Sequence, residues 1–128
     1  MTTDDVKLQC LRDVCAAFDR HDLDAIMEHF VDDCVFEWPR GPEPYGHRVI
    51  GREAVRRAFA DRFAGIPDIR YTNDSHFVAG DRGASEWLLT GSPAGGGERI
   101  EVRGCDLWTF RGTKLAVKCS FWKIRTPR

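Results

Sequence analysis

The chain has 128 residues, of which 42% are hydrophobic and 30% are charged. This length is enough for one domain with one sizeable core, so we expect a single domain over residues 1–128. The 19 basic and 20 acidic residues nearly balance. The chain therefore lacks the surplus of positive charge that a nucleic-acid or anionic-membrane partner requires, and we expect neither.

The N-terminal segment MTTDDVKLQ is acidic and has no apolar run of the kind that marks a secretory signal. We therefore expect a cytoplasmic protein. The five cysteines include no C-x-x-C pair and no zinc-ligand spacing, so we interpret them as reduced side chains and expect no metal and no cofactor. They are Cys10, Cys15, Cys34, Cys105 and Cys119.

Three helices are predicted in the first half of the chain. Thr3, followed by Asp4 and Asp5, is typical of a helix start, and apolar residues at three- and four-residue spacing predict a helix over about residues 4–20. A second, shorter helix follows Asp22. A third is predicted over roughly residues 52–64, with Gly65 as its C-terminal stop.

Strands dominate the rest of the chain. The segment VFEW at 35–38 is strand-like, whereas residues 39–50, with three prolines and two glycines, are predicted as a loop. From residue 68 onward, four long strands alternate with turn signals. This order predicts an α+β fold in which three N-terminal helices pack in a curved antiparallel sheet of four long strands plus one short strand.

The long strand near residues 98–110 contains a carboxylate among aromatic residues. Period-two alternation places Asp106, Trp108 and Phe110 on one face of that strand. Gly104 is predicted to form a bulge or bend that helps the sheet curl. A sheet curled over a helix would enclose a hollow, and we expect Asp106 to point into it.

Asp106 is the main candidate for a catalytic group. Burial among aromatic rings would raise its pKa and allow proton transfer near neutral pH, as enolisation or intramolecular aldol closure requires. The alternative is an Asp that accepts structural hydrogen bonds from the backbone or from Arg103. His76 and His47 are candidate second acid/base groups, and Glu86 is a third if it, rather than Trp87, faces inward.

Several aromatic residues and one loop histidine could form the walls of a ligand pocket, although packing in the core explains the aromatic residues equally well. These candidate substrate-binding residues are Phe18, Trp38, Tyr45, His47, Phe59, Trp108 and Phe110.

Both faces of the sheet are predicted to be apolar. With Leu89, Leu107 and Trp122 on outer faces, a monomer would expose an uncovered apolar surface. We therefore expect a homodimer through the sheet face.

Three segments carry a family resemblance: FVDDCVFEWP at 30–39, GREAVRRAF at 51–59 and GCDLWTFRGTK at 104–114. With the predicted order of elements, the chain resembles the nuclear transport factor 2-like (NTF2-like) superfamily, and within it the SnoaL-like polyketide cyclase and ketosteroid isomerase branch. The resemblance implies a cone-shaped fold with a ligand pocket at its wide end. The superfamily hosts several chemistries as well as non-catalytic modules, so the fold does not determine a reaction.

The match to ketosteroid isomerases is partial at the level of residues. Asp106 occupies the place of the acid that donates a hydrogen bond to the oxyanion, and in those enzymes an apolar site keeps that carboxyl group neutral. The second oxyanion donor, a tyrosine, falls on Val14, and the proton-shuttling aspartate falls on Trp38. The resemblance therefore argues against that mechanism.

Two other branches of the superfamily, the epoxide hydrolases and the SnoaL-type cyclases, differ in how well their functional residues match this chain. The final-strand aspartate of the related epoxide hydrolases falls near Cys119, which argues against that activity. SnoaL-type cyclases are implied to need essentially one pocket aspartate with polar helpers, which fits best. We therefore expect a cofactor-independent isomerase, cyclase or lyase acting on a small hydrophobic carbonyl compound; the alternative is a non-catalytic ligand-binding or dimerisation module.

Overall fold

A computed structural model describes all 128 residues of the chain. It contains three helices and six strands. The helices are α1 (Thr3–Asp19), α2 (Leu23–Met27) and α3 (Arg52–Gly65). The strands are β1 (Phe30–Glu37), β2 (Arg48–Ile50), β3 (Arg70–Ala79), β4 (Arg82–Gly91), β5 (Ile100–Arg111) and β6 (Lys114–Trp122).

The helices form where the sequence predicts them, with small shifts at their ends. The N-cap of α1 is Thr2 rather than Thr3: its hydroxyl accepts a hydrogen bond from the backbone N–H of Asp5, whose carboxylate accepts one from the N–H of Thr2. This reciprocal pair is a capping box. Asp22 caps α2 in a similar way by accepting from the N–H of Ala25. None of the three helices combines the length and the hydropathy that a membrane span requires.

The sheet has the strand order β2-β1-β6-β5-β4-β3. The four long strands β3 to β6 pair antiparallel, as predicted. The prediction of a wholly antiparallel sheet with one short strand is wrong, because β1 pairs parallel with β6 and because β2 adds a sixth strand. Residues 48–50 of the predicted loop become β2 by pairing antiparallel with β1.

The interior lies between the helices and one face of the curved sheet. A cluster of 22 buried residues fills it, with Phe18 of α1 and Phe59 of α3 in edge-to-face contact at 4.9 Å between ring centroids. Burial of this many apolar side chains is the main favourable term in folding.

Two predictions about sheet residues are corrected. Leu89 is fully buried and Trp122 lines an interior cavity, so neither faces outward. Of the three residues expected outside, only Leu107 is exposed, together with Phe77 and Phe121, which were not expected there.

Gly104 is not a bulge, since it lies in continuous register opposite Trp87 and Trp122. Its role is steric. A Cβ at this position would lie 2.5 Å from the Trp87 ring and 2.6 Å from the carbonyl oxygen of Phe121. Glycine therefore lets the Trp87 indole lie directly against the β5 backbone, close to Asp106.

Candidate functional site

Asp106 points into the interior, as the strand alternation predicts. Asp106, Trp108 and Phe110 of β5 are all buried, with Asp106 only 4% exposed. The two neighbours of Asp106 across the sheet are Ser85 of β4 and Ser120 of β6. Its carboxylate therefore lies within a row of polar side chains on the inner face of the sheet.

Three donors bind the Asp106 carboxylate. Oδ1 accepts hydrogen bonds from Lys118 Nζ at 2.8 Å and from Ser120 Oγ at 2.5 Å. Oδ2 accepts one from the Trp87 indole Nε1 at 2.9 Å. A carboxylate offers about four acceptor positions, so one position on Oδ2 remains free. Lysine and indole nitrogens can only donate, which makes Asp106 an acceptor here rather than the donor that the resemblance to ketosteroid isomerases implies.

Lys118 is the charge partner of Asp106, and it is itself 5% exposed. Its ammonium group lies 4.9 Å from the ring centroid of Phe36 and 5.1 Å from that of Phe18. It also donates to Ser120 Oγ at 2.7 Å. Two of its three N–H groups thus donate to oxygen atoms. The surrounding aromatic rings stabilise the positive charge of the ammonium group through cation–π interactions.

A small cavity adjoins this ion pair. Its volume is about 10 Å³, close to the space of a single water molecule. It is lined by Phe18, Phe36, Pro39, Phe59, Arg62, Tyr71, Trp87, Lys118, Ser120 and Trp122. Burial raises the pKa of Tyr71, and the nearby Asp106 charge raises it further, so its phenol is a neutral hydrogen-bond donor.

Arg62 of α3 also lines this cavity and lies against two tryptophans. Its guanidinium carbon is 5.0 Å from the Trp38 ring centroid and 4.7 Å from that of Trp122. Burial lowers the pKa of this guanidinium. The Trp38 indole nitrogen is buried without a hydrogen-bond partner. The indole N–H of Trp38 therefore remains an unsatisfied hydrogen-bond donor near the cavity.

His76 of β3 is separated from Asp106 of β5 by the intervening strand β4, and no hydrogen bond joins the two side chains. Its Nδ1 is 2.7 Å from Ser85 Oγ, and its Nε2 is 2.7 Å from Asp74 Oδ2. Ser85 Oγ also accepts from the Trp108 indole Nε1 at 2.9 Å. Ser85 is the cross-strand neighbour of both His76 and Asp106, so the two polar clusters are adjacent on the inner face.

Glu86 lies on the opposite face of the sheet from Asp106. Trp87 is the inward residue, Glu86 is exposed, and its carboxylate is 3.7 Å from the guanidinium of Arg103. The structure therefore contradicts a carboxylate pair between Glu86 and Asp106, because adjacent strand residues point to opposite faces. Arg103, the predicted structural partner of Asp106, pairs with Glu86 instead.

The predicted pocket residues separate into two groups. Phe18 and Phe59 line the cavity, and the Trp38 ring stacks on Arg62. The Trp108 ring centroid lies 5.7 Å from Lys118 Nζ. Tyr45 is exposed and stacks on Arg48 at 3.8 Å, His47 packs on the Trp38 ring, and Phe110 lies beside Lys7. Of the seven predicted pocket residues, only Phe18 and Phe59 line the cavity.

Sequence reasoning missed Lys118, Ser120 and Tyr71. Lys118 and Ser120 alternate with Trp122 on one face of β6, which is a signal that they share its inward orientation. A lysine in that pattern is ordinarily read as solvent-exposed, since unpaired lysine is almost never buried. The partner that makes its burial possible, Asp106, lies on a different strand.

Comparison with known proteins agrees with this architecture. In solved structures, a protein provisionally assigned as a polyketide cyclase from Xanthomonas campestris pv. campestris aligns with a TM-score of 0.84 at 16% identity, over 95% of this chain and 93% of that chain. An NTF2-like protein of unknown function from Mesorhizobium loti aligns with a TM-score of 0.77 at 27% identity, over 96% and 95% of the two chains.

A third structure is a protein with a ketosteroid isomerase-like fold from Catenulispora acidiphila, solved in complex with trimethylamine. It has a TM-score of 0.75 at 20% identity, over 90% of this chain and 85% of that chain. No curated protein matches the sequence significantly. The model of the SnoaL-like domain family matches residues 11–117. With its NTF2-like fold of three helices and a curved mixed sheet, the chain belongs to the SnoaL-like domain family.

Proposed function

We propose that this protein is a cofactor-independent acid/base enzyme that acts on a small hydrophobic carbonyl compound. The observation that carries the proposal is the buried Asp106 carboxylate, which has one free acceptor position and is bound by three residues that line an aromatic cavity, Trp87, Lys118 and Ser120. Buried charged groups are costly, and functional sites are one of the places where proteins retain them.

The proposed reaction is proton transfer at a carbon next to a carbonyl group. Asp106 accepts the proton at the free position of Oδ2, and the electron pair of the broken C–H bond moves onto the carbonyl oxygen. The Lys118 ammonium, whose third N–H is not committed to Asp106 or Ser120, stabilises the enolate oxygen. Tyr71 is a second candidate donor. Return of the proton from Asp106 to another carbon completes an isomerisation. Alternatively, the enolate carbon attacks a second carbonyl carbon and closes a ring, and the proton returns from Asp106 to the new alkoxide oxygen.

Substrate entry requires the cavity to widen. At about 10 Å³ it holds no ligand larger than water. Arg62 and Trp122 both line it and stack on each other, so their displacement from the cavity is the proposed opening step. Their contacts are between partly exposed side chains, which can change rotamer without disrupting the helices or the sheet.

Exchange of carbon-bound hydrogen with D2O tests the proposal. Anthraquinone-type polyketides and steroid ketones would be incubated with the protein, and deuterium incorporation next to the carbonyl would be followed by mass spectrometry. We expect catalysed exchange with the wild-type protein and a loss of about 10²- to 10⁴-fold in Asp106→Asn, the range for a general base. Glu86→Gln, on the outer face, is the matched control and should retain the rate.

The second candidate function is non-catalytic binding of a small hydrophobic ligand or dimerisation, with Asp106 as a structural group. The small cavity and the three donors that already bind Asp106 favour it. Ligands that raise the melting temperature of the wild-type protein and of Asp106→Asn equally, with exchange no faster than in buffer, would support this function and reject the enzymatic one.

A further inference from the structure

A second cluster of chemically active side chains lies outside the Asp106 site. Cys15 of α1 and the β3 residues Asp74 and His76 place a thiol, a carboxylate oxygen and an imidazole nitrogen within 4.8 Å of one another. Asp74 and His76 are close neighbours in β3, but Cys15 is far from both in the sequence, so no ligand spacing reveals the cluster. Their convergence depends on the packing of α1 against β3.

An irregularity in β3 brings His76 to the interior. The pairing of β3 with β4 shifts register between Thr72 and Ser75, and Asn73 has a positive φ of 53°. Tyr71 before the shift is buried, and after it the His76 side chain is 4% exposed whereas Phe77 is 63% exposed. The shift places one extra residue in β3 relative to β4. As a result, odd-numbered residues point inward before the shift and even-numbered residues point inward after it.

We propose that Cys15, Asp74 and His76 form a zinc site, with water as the fourth ligand. Thiolate, imidazole and carboxylate are the three ligand types that Zn²⁺ uses in proteins, and three protein ligands with one water is the pattern of an open site. Asp74 belongs to an edge strand and its side chain is 40% exposed, which gives the ion and the water a path to the cluster.

The surroundings of His76 match those of a metal ligand. A zinc-bound imidazole usually donates its other ring N–H to an oxygen, which fixes the orientation of the ring. Here Nδ1 lies 2.7 Å from Ser85 Oγ, and Ser85 is held in turn by the Trp108 indole. Nε2 faces Asp74 at 2.7 Å, so Zn²⁺ would replace the hydrogen bond between these two groups.

The charges also fit a dication. On binding, the thiol S–H bond breaks, its proton leaves to solvent, and sulfur donates its electron pair to zinc. One thiolate and one carboxylate then neutralise the ion.

The same groups also resemble a Ser–His–Asp arrangement, but the geometry does not suit a nucleophile. Ser85 Oγ is the atom that would attack a substrate, yet Ser85 is 1% exposed and its oxygen already accepts from Trp108. A substrate carbonyl cannot reach it without unpacking the core. Metal binding needs access only to the Asp74 side of the cluster.

The test is zinc affinity in competition with a chromophoric chelator, after the protein has been stripped of metal with EDTA. We expect one zinc per chain, and at least about a tenfold weaker affinity in Cys15→Ser, Asp74→Asn and His76→Asn, since even changes to the groups that support metal ligands cost 10- to 100-fold. Co²⁺ in place of Zn²⁺ should produce a thiolate charge-transfer absorption in the near ultraviolet that Cys15→Ser lacks.

The chain supplies a matched control. Cys10 and His29 form a second thiol–imidazole pair, with Sγ and Nδ1 3.6 Å apart, but they lack a carboxylate in reach. Cys10→Ser and His29→Asn should therefore bind zinc like the wild-type protein. Equal zinc affinity in Cys15→Ser and wild-type, or no cobalt absorption in the wild-type, would overturn the proposal.

Circular dichroism of each variant would confirm that it is folded. If Cys15→Ser fails to fold, Asp74→Asn carries the test, because it alters a partly exposed side chain on an edge strand. The zinc site does not depend on Asp106 acting as a base, so hydrogen exchange and zinc affinity can fail independently.

Discussion

Asp106 and Lys118 place two opposite charges inside an aromatic core, where the desolvation of each charge is unfavourable. Neither charge is stable there alone, because desolvation of a buried ion costs several kcal/mol. Each is satisfied by the other and by the hydroxyl of Ser120, which donates to Asp106 and accepts from Lys118. The pair is therefore a single unit, and removal of either charge should destabilise the folded protein.

Lys118→Met keeps the length of the side chain but removes its charge. It leaves Asp106 with the Trp87 and Ser120 donors but without a counter-charge, and we expect a loss of about 3–5 kcal/mol in the free energy of unfolding. Urea denaturation at neutral pH measures this loss. Lys123→Met, at an exposed position directly after β6, is the control and should change stability little.

A double-mutant cycle sharpens this prediction. If Asp106 and Lys118 stabilise each other, Asp106→Asn combined with Lys118→Met should cost less than the two single changes together. Strictly additive losses, or a Lys118→Met protein as stable as the wild type, would show that the ion pair is not energetically coupled.

Gly104 fixes the position of Trp87, and through it one hydrogen bond to Asp106. Gly104→Ala would place a methyl group 2.5 Å from the Trp87 ring, so the indole must move. We expect a loss of about 1–3 kcal/mol from overpacking and a change in Trp fluorescence as the ring shifts. Gly95→Ala meets no atom within 4 Å and should leave both measurements unchanged; a silent Gly104→Ala would contradict the steric role.

The sequence predicted that Asp106 points inward but gave no indication that Lys118 is its partner, and a register shift explains the difference. Alternation along β5 was enough to place Asp106 inward. Its neighbour on β6, however, depends on the irregularity between Thr109 and Phe110. Without that shift, the hairpin would pair Asp106 with Cys119 rather than Ser120. A single sequence gives no signal for this extra residue.

At the element scale, Asp19 joins the end of α1 to the start of β3. Its carboxylate accepts from Arg70 Nε at 2.7 Å, from Arg70 Nη2 at 3.0 Å and from the backbone N–H of Tyr71 at 3.0 Å. The Arg70 hydrogen bonds, followed by that of Tyr71, lower the pKa of Asp19. The contact fixes the helix against the strand that carries both Tyr71 and His76.

Asp19→Asn should destabilise the protein by about 2 kcal/mol at neutral pH, the scale of hydrogen bonds to a charged group. Because the folded-state pKa is lowered, the contribution of Asp19 is present above its unfolded pKa of about 4 and is lost as pH falls through the folded value. The deficit of the variant relative to wild type should therefore be constant above about pH 5 and shrink in more acidic buffer.

Urea denaturation of both proteins across this pH range provides the measurement. Asp33→Asn is the matched control, since Asp33 pairs with Arg111 at an exposed site. Its removal should have a small effect because solvent screens surface ion pairs. A deficit in Asp19→Asn that persists unchanged in acid would contradict the linkage.

Elements were predictable where local sequence determines them. The capping residues and apolar spacing gave all three helices, and turn signals gave the four long strands. β2 was missed because residues 48–50 have no strand pattern of their own and become extended only by pairing with β1. The parallel pairing of β1 with β6 was missed because it joins two strands that lie far apart in the sequence, and neither strand carries a local signal for its partner.

At the scale of the whole molecule, the outer face of the sheet is the feature that a single chain leaves unexplained. Phe77, Leu107 and Phe121 are 63%, 37% and 50% exposed on β3, β5 and β6. The half-buried thiols Cys105 and Cys119 lie between them on the same face. Helices cover only the inner face, so this apolar surface has no partner within the chain.

We expect this surface to pair with a second copy of the chain. A charged residue at its centre should then separate the protomers without affecting the core, because these side chains point away from it. Leu107→Asp and Phe121→Asp are therefore expected to convert a dimer into a monomer in sedimentation equilibrium, while the fold persists by circular dichroism. Ile124→Asp, at a residue that is 92% exposed beyond the last strand, is the control and should stay dimeric. A wild-type protein that remains monomeric at high micromolar concentration would reject the dimer, and the apolar face would then require a different partner.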